Sequence, residues 1–382
     1  MKTVLGLDRV EEFKEFFKGK RIGLITNYSG VNSGWETNID IFASLGYRIV
    51  RLFSPEHGLF GTGAGEKVED AVYPGYGIPV VSLFGDKKKP DPKDLEGLDL
   101  LVYDIQDVGL RYYTYIYTMT YCMEAAAVCH IPFAVLDRPD PLGERIVSGG
   151  TILPRYSSFI GDYGLPVRYG LTPGELGYYF IRMKGLDLDY TVIQLKNYDR
   201  DTYFPDTGGL WNIPSPALPD YDTAVCYAGG CFAGATTLSD GRGTAKPFQI
   251  YGAPFIDMNV FYHELKGQIR EEKVAFRQRA FIPVERRYKG QICYGVEFAP
   301  LSRDLDFLPT AMILLRTAAK LYPDQFALID NEQGEKHLYY QAGSERAGQY
   351  LDGRITLEEL LREWSGQAED FAHLTEDIRI YH

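Results

Sequence analysis

Cysteine is scarce and unpatterned: 382 residues hold only five, none in a Cys-x-x-Cys spacing. That excludes a disulfide framework and argues against a zinc knuckle. Positive charge is in deficit, with 40 Lys and Arg against 52 Asp and Glu for a net −12. Neither nucleic acid nor an anionic membrane surface is therefore expected as the main partner. No stretch approaches the ~20 apolar residues of a membrane helix. Met1 leads almost directly into Asp8, Arg9, Glu11, Glu12 and Lys14, with no apolar signal-peptide core, which predicts a cytoplasmic protein. Cofactor motifs are missing too. There is no Walker-type phosphate loop, no HExxH and no GxSxG elbow, and the histidines (His57, His130, His263, His337, His373, His382) are scattered. Gly61-Thr62-Gly63-Ala64-Gly65 is not GxGxxG and does not open a helix directly after a strand. The expectation is no metal and no organic cofactor.

What is present is a globular composition, 45% hydrophobic and 24% charged, with 29 tyrosines. The length fits one large or two moderate domains. The first 140 residues repeat one rhythm of apolar run, polar loop and helical stretch. Short runs rich in branched residues predict strands at 21–26, 48–53, 80–84, 98–103 and 132–136. Helical spacing predicts helices from Thr37 to Leu45 and from about Thr118 to Cys129. Strands alternating with helices imply an α/β fold with a parallel sheet. In such a sheet the loops after the strands emerge at one edge, where ligands bind. Those loops carry Asn27, Glu56, His57, Asp86, Asp104, Gln106, Asp107, Asp137 and Arg138, so a shared polar crevice is expected.

Beyond Gly143 the pattern loosens around one clear helix, opened by Thr172-Pro173-Gly174-Glu175 with Thr as N-cap, Pro at the first position and Glu at the third. Trp211 to Pro219, with three prolines, reads as an extended surface loop. A second unit begins near 228, giving the division 1–227 and 228–382. Its expected elements are a helix around Ile256 to Ile269, strands near Ala280 to Val284 and Ile292 to Phe298, and helices near Pro309 to Leu321 and Thr356 to Trp364. Carboxylates, a few arginines and the run Tyr112, Tyr113, Tyr115, Tyr117 and Tyr121 suit a sugar. Aromatic faces stack on its rings while polar groups bond to its hydroxyls.

Several strings carry a more specific signal: Ser54-Pro55-Glu56-His57-Gly58, Asp104-Ile105-Gln106-Asp107 running on to Arg111 and Tyr115, and Leu238-Ser239-Asp240-Gly241-Arg242-Gly243-Thr244. Leu136 to Gly143 and Gly170 to Glu175 add to them. In order and spacing the chain resembles the exo-β-N-acetylmuramidase (NamZ-like) family over nearly its whole length. The resemblance implies a Rossmann-like N-terminal domain, a smaller α+β C-terminal domain and a cleft between them. It also implies release of terminal N-acetylmuramic acid from peptidoglycan fragments, with a small cell-wall saccharide or muropeptide as partner and Glu56 at the family's catalytic glutamate position.

Physically, Glu56 is a candidate general acid, and His57 is either the acid or the group that orients it; tying down the loop is the alternative role for both. Asp104 and Asp107 are candidates for a second carboxylate or for sugar binding, or else turn residues. Arg111 and Arg242 can hold the lactyl carboxylate of muramic acid, or pair internally with an aspartate. Tyr113 and Tyr115 are candidate stacking groups. Departures from the family are also visible: its usual Glu is Gly234 here, the next acidic position is Asp240, an amide in its Pro-rich loop is Ala217, and a usual His is Tyr169. Asp240, Asp104 or the sugar's own acetamido group would then supply the second catalytic function. Binding without turnover, and hydrolysis of a different glycoside, are the alternatives.

Overall fold

The computed structural model describes residues 1–62, 69–270 and 272–382. Residues 63–65 of the glycine-rich string lie outside them. Among the described residues, seven strands form one sheet: β1 (Arg21–Thr26), β2 (Arg48–Ser54), β3 (Ala71–Tyr73), β4 (Ile78–Ser82), β5 (Leu100–Asp104), β6 (Phe133–Leu136) and β7 (Tyr190–Ile193). Their order is β3-β4-β2-β1-β5-β6-β7, parallel throughout except for the antiparallel edge strand β3. This is the expected α/β architecture. β3 and β7 were not anticipated, being short and flanked by polar turns.

Both faces of the sheet are covered, which is why its strands read as continuous apolar runs. Alternation divides each strand between two cores. Leu100 and Val102 of β5 join Ile22, Leu24, Leu52 and the helical Ile39 and Phe42 on one face. Leu101 and Tyr103 join Ile25, Phe53, Ile116, Met119 and Met123 on the other. The second core continues without a break into Ala224, Phe232, Phe298, Leu308 and Leu315.

The later half adds a three-stranded antiparallel sheet, β8 (Ile250–Ala253), β9 (Val274–Phe281) and β10 (Cys293–Pro300), ordered β8-β10-β9. β8 was unanticipated, and β9 begins six residues before the expected strand start. The last long helix runs Leu357–Leu374 rather than ending near Trp364. Leu360, Trp364, Ala368 and Phe371 keep its buried stripe going past the charged residues that mask it. The chain end returns to the first sheet: Tyr381 Oη donates to Asp137 Oδ2 at 2.6 Å and Ile380 N donates to Glu175 Oε1 at 2.7 Å. No helix among the described residues is long and apolar enough to cross a membrane.

Candidate active site

β2 ends at Ser54 and the chain turns at once, with Gly58 N donating to Pro55 O at 3.0 Å. His57, third in this turn, sits in the left-handed region at φ 68°. A side chain disfavours that region, and such strain is held only where surrounding structure fixes it, often at functional sites. The turn presents Glu56 half-buried. Thr114 Oγ1, from the loop after β5, donates to Glu56 Oε2 at 2.6 Å. The loops after β2 and β5 thus meet over the end of β1, which lies between them in the sheet.

They meet at the wall of a cleft of about 1130 Å³. Glu56, His57 and Tyr112 to Tyr115 line it, together with Ser215 to Leu218 and Tyr227. Tyr113 and Tyr115 pack edge to face, 4.6 Å between centroids, and Tyr115 Oη donates to Pro214 O at 2.9 Å. The segment from Trp211 to Pro219 is therefore a cleft wall with Pro214, Ser215 and Leu218 buried, rather than a wholly exposed loop. The second sheet and its flanking loops supply Arg242, Lys246, Arg277, Arg279, Glu285 and Glu297, and His337 and Gln341 also line the space. Gln341 Oε1 is buried and makes no hydrogen bond among the described residues. Burial, then the nearby Arg242, lower the His337 pKa and favour its neutral form.

The other strand-end residues do not reach this cleft, so the single shared crevice expected from the topology is not what forms. Asp104 is fully buried, paired with Arg138 Nε at 2.6 Å and accepting from Asn38 Nδ2 at 2.7 Å. Arg138 also donates to Val31 O at 3.0 Å. Asn27 Oδ1 accepts from Ser29 N and Oγ, at 2.9 and 2.6 Å, folding its own loop. Gln106 Nε2 donates to the carbonyls of Asp107 and Pro139, and with Arg138 lines a separate small cavity of about 50 Å³. Asp107 accepts from Gly109 N at 2.9 Å and from the Tyr169 hydroxyl. Tyr169 is thus engaged in the buried interior, outside the cleft lining. Gly109 is required there: it holds φ +72°, and a Cβ would lie 2.2 Å from Asp140 Oδ1.

Asp137 sits on the N-terminus of the Pro173–Lys184 helix, accepting from Gly174 N at 2.8 Å and Thr172 Oγ1 at 2.9 Å. The predicted Thr172–Glu175 capping box is present. Arg111 is fully buried and outside the cleft lining; its two terminal nitrogens donate to Gly150 O, Leu165 O and Gln341 O at 2.6, 2.8 and 2.6 Å. It therefore ties three chain segments together, and its partners are carbonyls rather than the aspartates considered from sequence.

Arg242 does line the cleft. Asp240 lies behind it, buried, with Oδ2 2.8 Å from Arg242 Nη2 and 3.0 Å from Nε. Gly234 bears directly on this pair: a Cβ built there would be 2.7 Å from Asp240 Oδ2 and 3.0 Å from Arg242 Nη2. The small residue at 234 leaves room for the Asp240 carboxylate to hold the guanidinium in place.

The buried acids make stability depend on pH. Burial pushes Asp137 up to about 7 and Asp107 up to about 6, and burial with the neighbouring Asp107 charge pushes Asp140 up to about 7. An unfolded Asp ionises near ~3.9. Between those values the folded chain binds more protons than the unfolded one. The stabilisation from these groups is complete below pH ~4 and is lost as pH rises through about 7. The expected result is that Asp137→Asn reduces the fall in melting temperature between pH 5 and pH 8, measured by calorimetry. An unchanged fall would show that Asp137 titrates as an ordinary carboxyl.

Family models cover almost the whole chain: "Exo-beta-N-acetylmuramidase NamZ, N-terminal" matches residues 22–222 and its C-terminal counterpart matches 225–381. The chain is 36% identical over its full length to the peptidoglycan beta-N-acetylmuramidase NamZ of Bacillus subtilis (strain 168), covering 92% of that protein. Two solved DUF1343 family proteins from Bacteroides fragilis are similar over 100% of this chain and 99% of theirs. Their TM-scores are 0.91 and 0.79, at 29% and 27% identity. Matches across both halves, with a full-length curated relative, place this chain in the exo-β-N-acetylmuramidase NamZ family of glycosidases.

Proposed function

We propose that this chain releases a terminal N-acetylmuramic acid from peptidoglycan fragments, with Glu56 as general acid and base. The observation that carries the reading is Glu56 on a strained strand-end turn, fixed by Thr114 in a cleft large enough for a disaccharide. The activity named for the B. subtilis relative supports it. We read the cleft as shared by two units divided at 227/228, with Tyr227 at the division.

In this reading the C1–O bond to the leaving sugar breaks as Glu56 gives its proton to that oxygen. Asp104 and Asp240 are engaged by Arg138 and Arg242, so the second role falls to the substrate. Its acetamido oxygen closes on C1, and the Glu56 carboxylate then takes a proton from the water that opens the ring. His57 orients Glu56 and Arg242 faces the lactyl carboxylate, whereas Tyr113 and Tyr115, 5% and 1% exposed, shape the wall behind the sugar rather than stack on it.

The test is chromatography of products from a muramic acid-terminated disaccharide and from a chain with its muramic acid blocked internally. Free N-acetylmuramic acid from the first alone is expected. Saturable binding of the disaccharide with no product would favour a binding protein instead.

A further inference from the structure

Tyr112, Tyr113, Tyr115 and Tyr227 line the cleft, and the first three have hydroxyls that are engaged or sealed. Tyr112 Oη donates to Tyr227 O at 2.8 Å, Tyr115 Oη donates to Pro214 O at 2.9 Å, and Tyr113 Oη is buried away from solvent. Tyr227 differs. Its side chain is half-buried, and its hydroxyl is not sealed from solvent and has no hydrogen-bond partner among the described residues.

The Tyr227 ring is fixed from two sides. It belongs to the Tyr221–Gly230 helix, capped at its start by Asp220, whose Ala224, Val225, Cys226 and Ala228 are buried. Tyr112 packs on the ring edge to face, 5.2 Å between centroids, and Phe248 packs on it at 4.5 Å. Tyr112 stands two residues before Thr114, the donor to Glu56 Oε2, whereas Phe248 carries the Arg242 guanidinium 5.6 Å from its ring centroid. Tyr227 therefore sits between the parts of the cleft that hold Glu56 and Arg242. Burial raises its pKa well above the usual value; of these two charges Arg242 opposes the rise and Glu56 adds to it. The hydroxyl stays protonated, and so remains a donor.

On N-acetylmuramic acid the acetamido group at C2 stands between the anomeric C1 and the lactyl ether at C3. The proposed reading sets Glu56 at the C1 oxygen and Arg242 at the lactyl carboxylate. A hydroxyl between those two residues faces the group between those two carbons. An amide oxygen has two lone pairs, so it can accept from one donor and still use the other pair.

We propose that Tyr227 is a further substrate-binding residue: its hydroxyl donates to the acetamido carbonyl oxygen and turns that oxygen's second lone pair toward C1. The contact also selects 2-acetamido sugars, because a substrate without the amide leaves the hydroxyl without the acceptor it is placed to meet. This rests on the hydrolase reading and deepens it.

The test compares wild type with Tyr227→Phe, which keeps the ring and its packing, and thermal melting confirms folding. For nitrophenyl N-acetylmuramide kcat/KM should fall roughly tenfold to a hundredfold, the cost of one desolvated acceptor left without its donor. Calorimetry should show weaker binding of N-acetylmuramic acid by the variant. Binding of 3-O-lactylglucose, in which a hydroxyl replaces the acetamido group, should change little.

An unchanged kcat/KM would overturn the assignment. So would equal losses of affinity for the two sugars, the result a merely structural role gives. If wild type cleaves no muramic acid glycoside, the hydrolase reading fails separately. The calorimetric pair then decides alone: a loss confined to N-acetylmuramic acid supports the contact, and equal losses or none overturn it.

Discussion

Glu56→Gln is expected to lower kcat/KM on a muramic acid-terminated disaccharide by roughly 10²–10⁴-fold, the usual contribution of a positioned general acid. The amide keeps the size of the carboxyl and can still accept from Thr114 Oγ1, so the turn and the cleft should persist with little change in melting temperature. A sugar alkoxide is a poor leaving group without a proton, and the amide has none to give. If Glu56 merely tied down its loop, the same conservative change would cost little activity. Thr114→Val provides the complementary check on positioning: it removes the hydroxyl contact but leaves the acid, so a smaller loss with a shifted pH profile is expected.

Arg111→Ala should act on stability instead, by about 3 to 5 kcal/mol. The change leaves the carbonyls of Gly150, Leu165 and Gln341 without their donor and opens a void in a fully buried region. An unmade hydrogen bond at a buried group costs about 1–3 kcal/mol, and a cavity adds to that. Part is offset, because burying a guanidinium is itself costly; desolvation pulls the Arg111 pKa down to about 10. Denaturant unfolding measures the effect. A normally stable Arg111→Ala with only a raised KM would return this residue to substrate binding.

These two residues show what sequence could and could not convey. β1, β2, β4, β5 and β6 were legible because strands buried on both faces leave continuous apolar runs. β3 and β7 are exposed or half-buried along most of their length and β8 carries Gly252, so none leaves the continuous apolar run that marks the equally short β6. Glu56 and His57 were legible as polar residues directly after a strand. The same rule also selected Asp104, Asp137 and Arg138, since it fixes which edge a loop occupies but not whether its side chains turn outward or into the protein. Asp104 turns in because Arg138 and Asn38 meet it there. Arg111 looked like a substrate cation because its partners are backbone carbonyls 39 to 230 positions away, and no local pattern encodes them. Arg277 and Arg279 were missed altogether. Alternating arginines on a strand read as an ordinary solvent-facing edge until the second sheet is folded against the cleft.

The gap at Gly234 also changes meaning in three dimensions. From sequence it looked like a lost catalytic group. In the structure it is the space beside the Asp240–Arg242 pair, too close for a Cβ unless the pair shifts. With Asp104 and Asp240 both engaged by arginines, the reading concentrates proton transfer on Glu56.

The measurement that tests this most directly is the activity of Glu56→Gln relative to wild type on two substrates sharing the same muramic acid, one with a sugar leaving group and one with nitrophenol. Nitrophenol departs without being protonated. The account predicts a deficit on the sugar substrate at least tenfold larger than on the nitrophenyl glycoside. Equal deficits on the two would contradict proton delivery by Glu56.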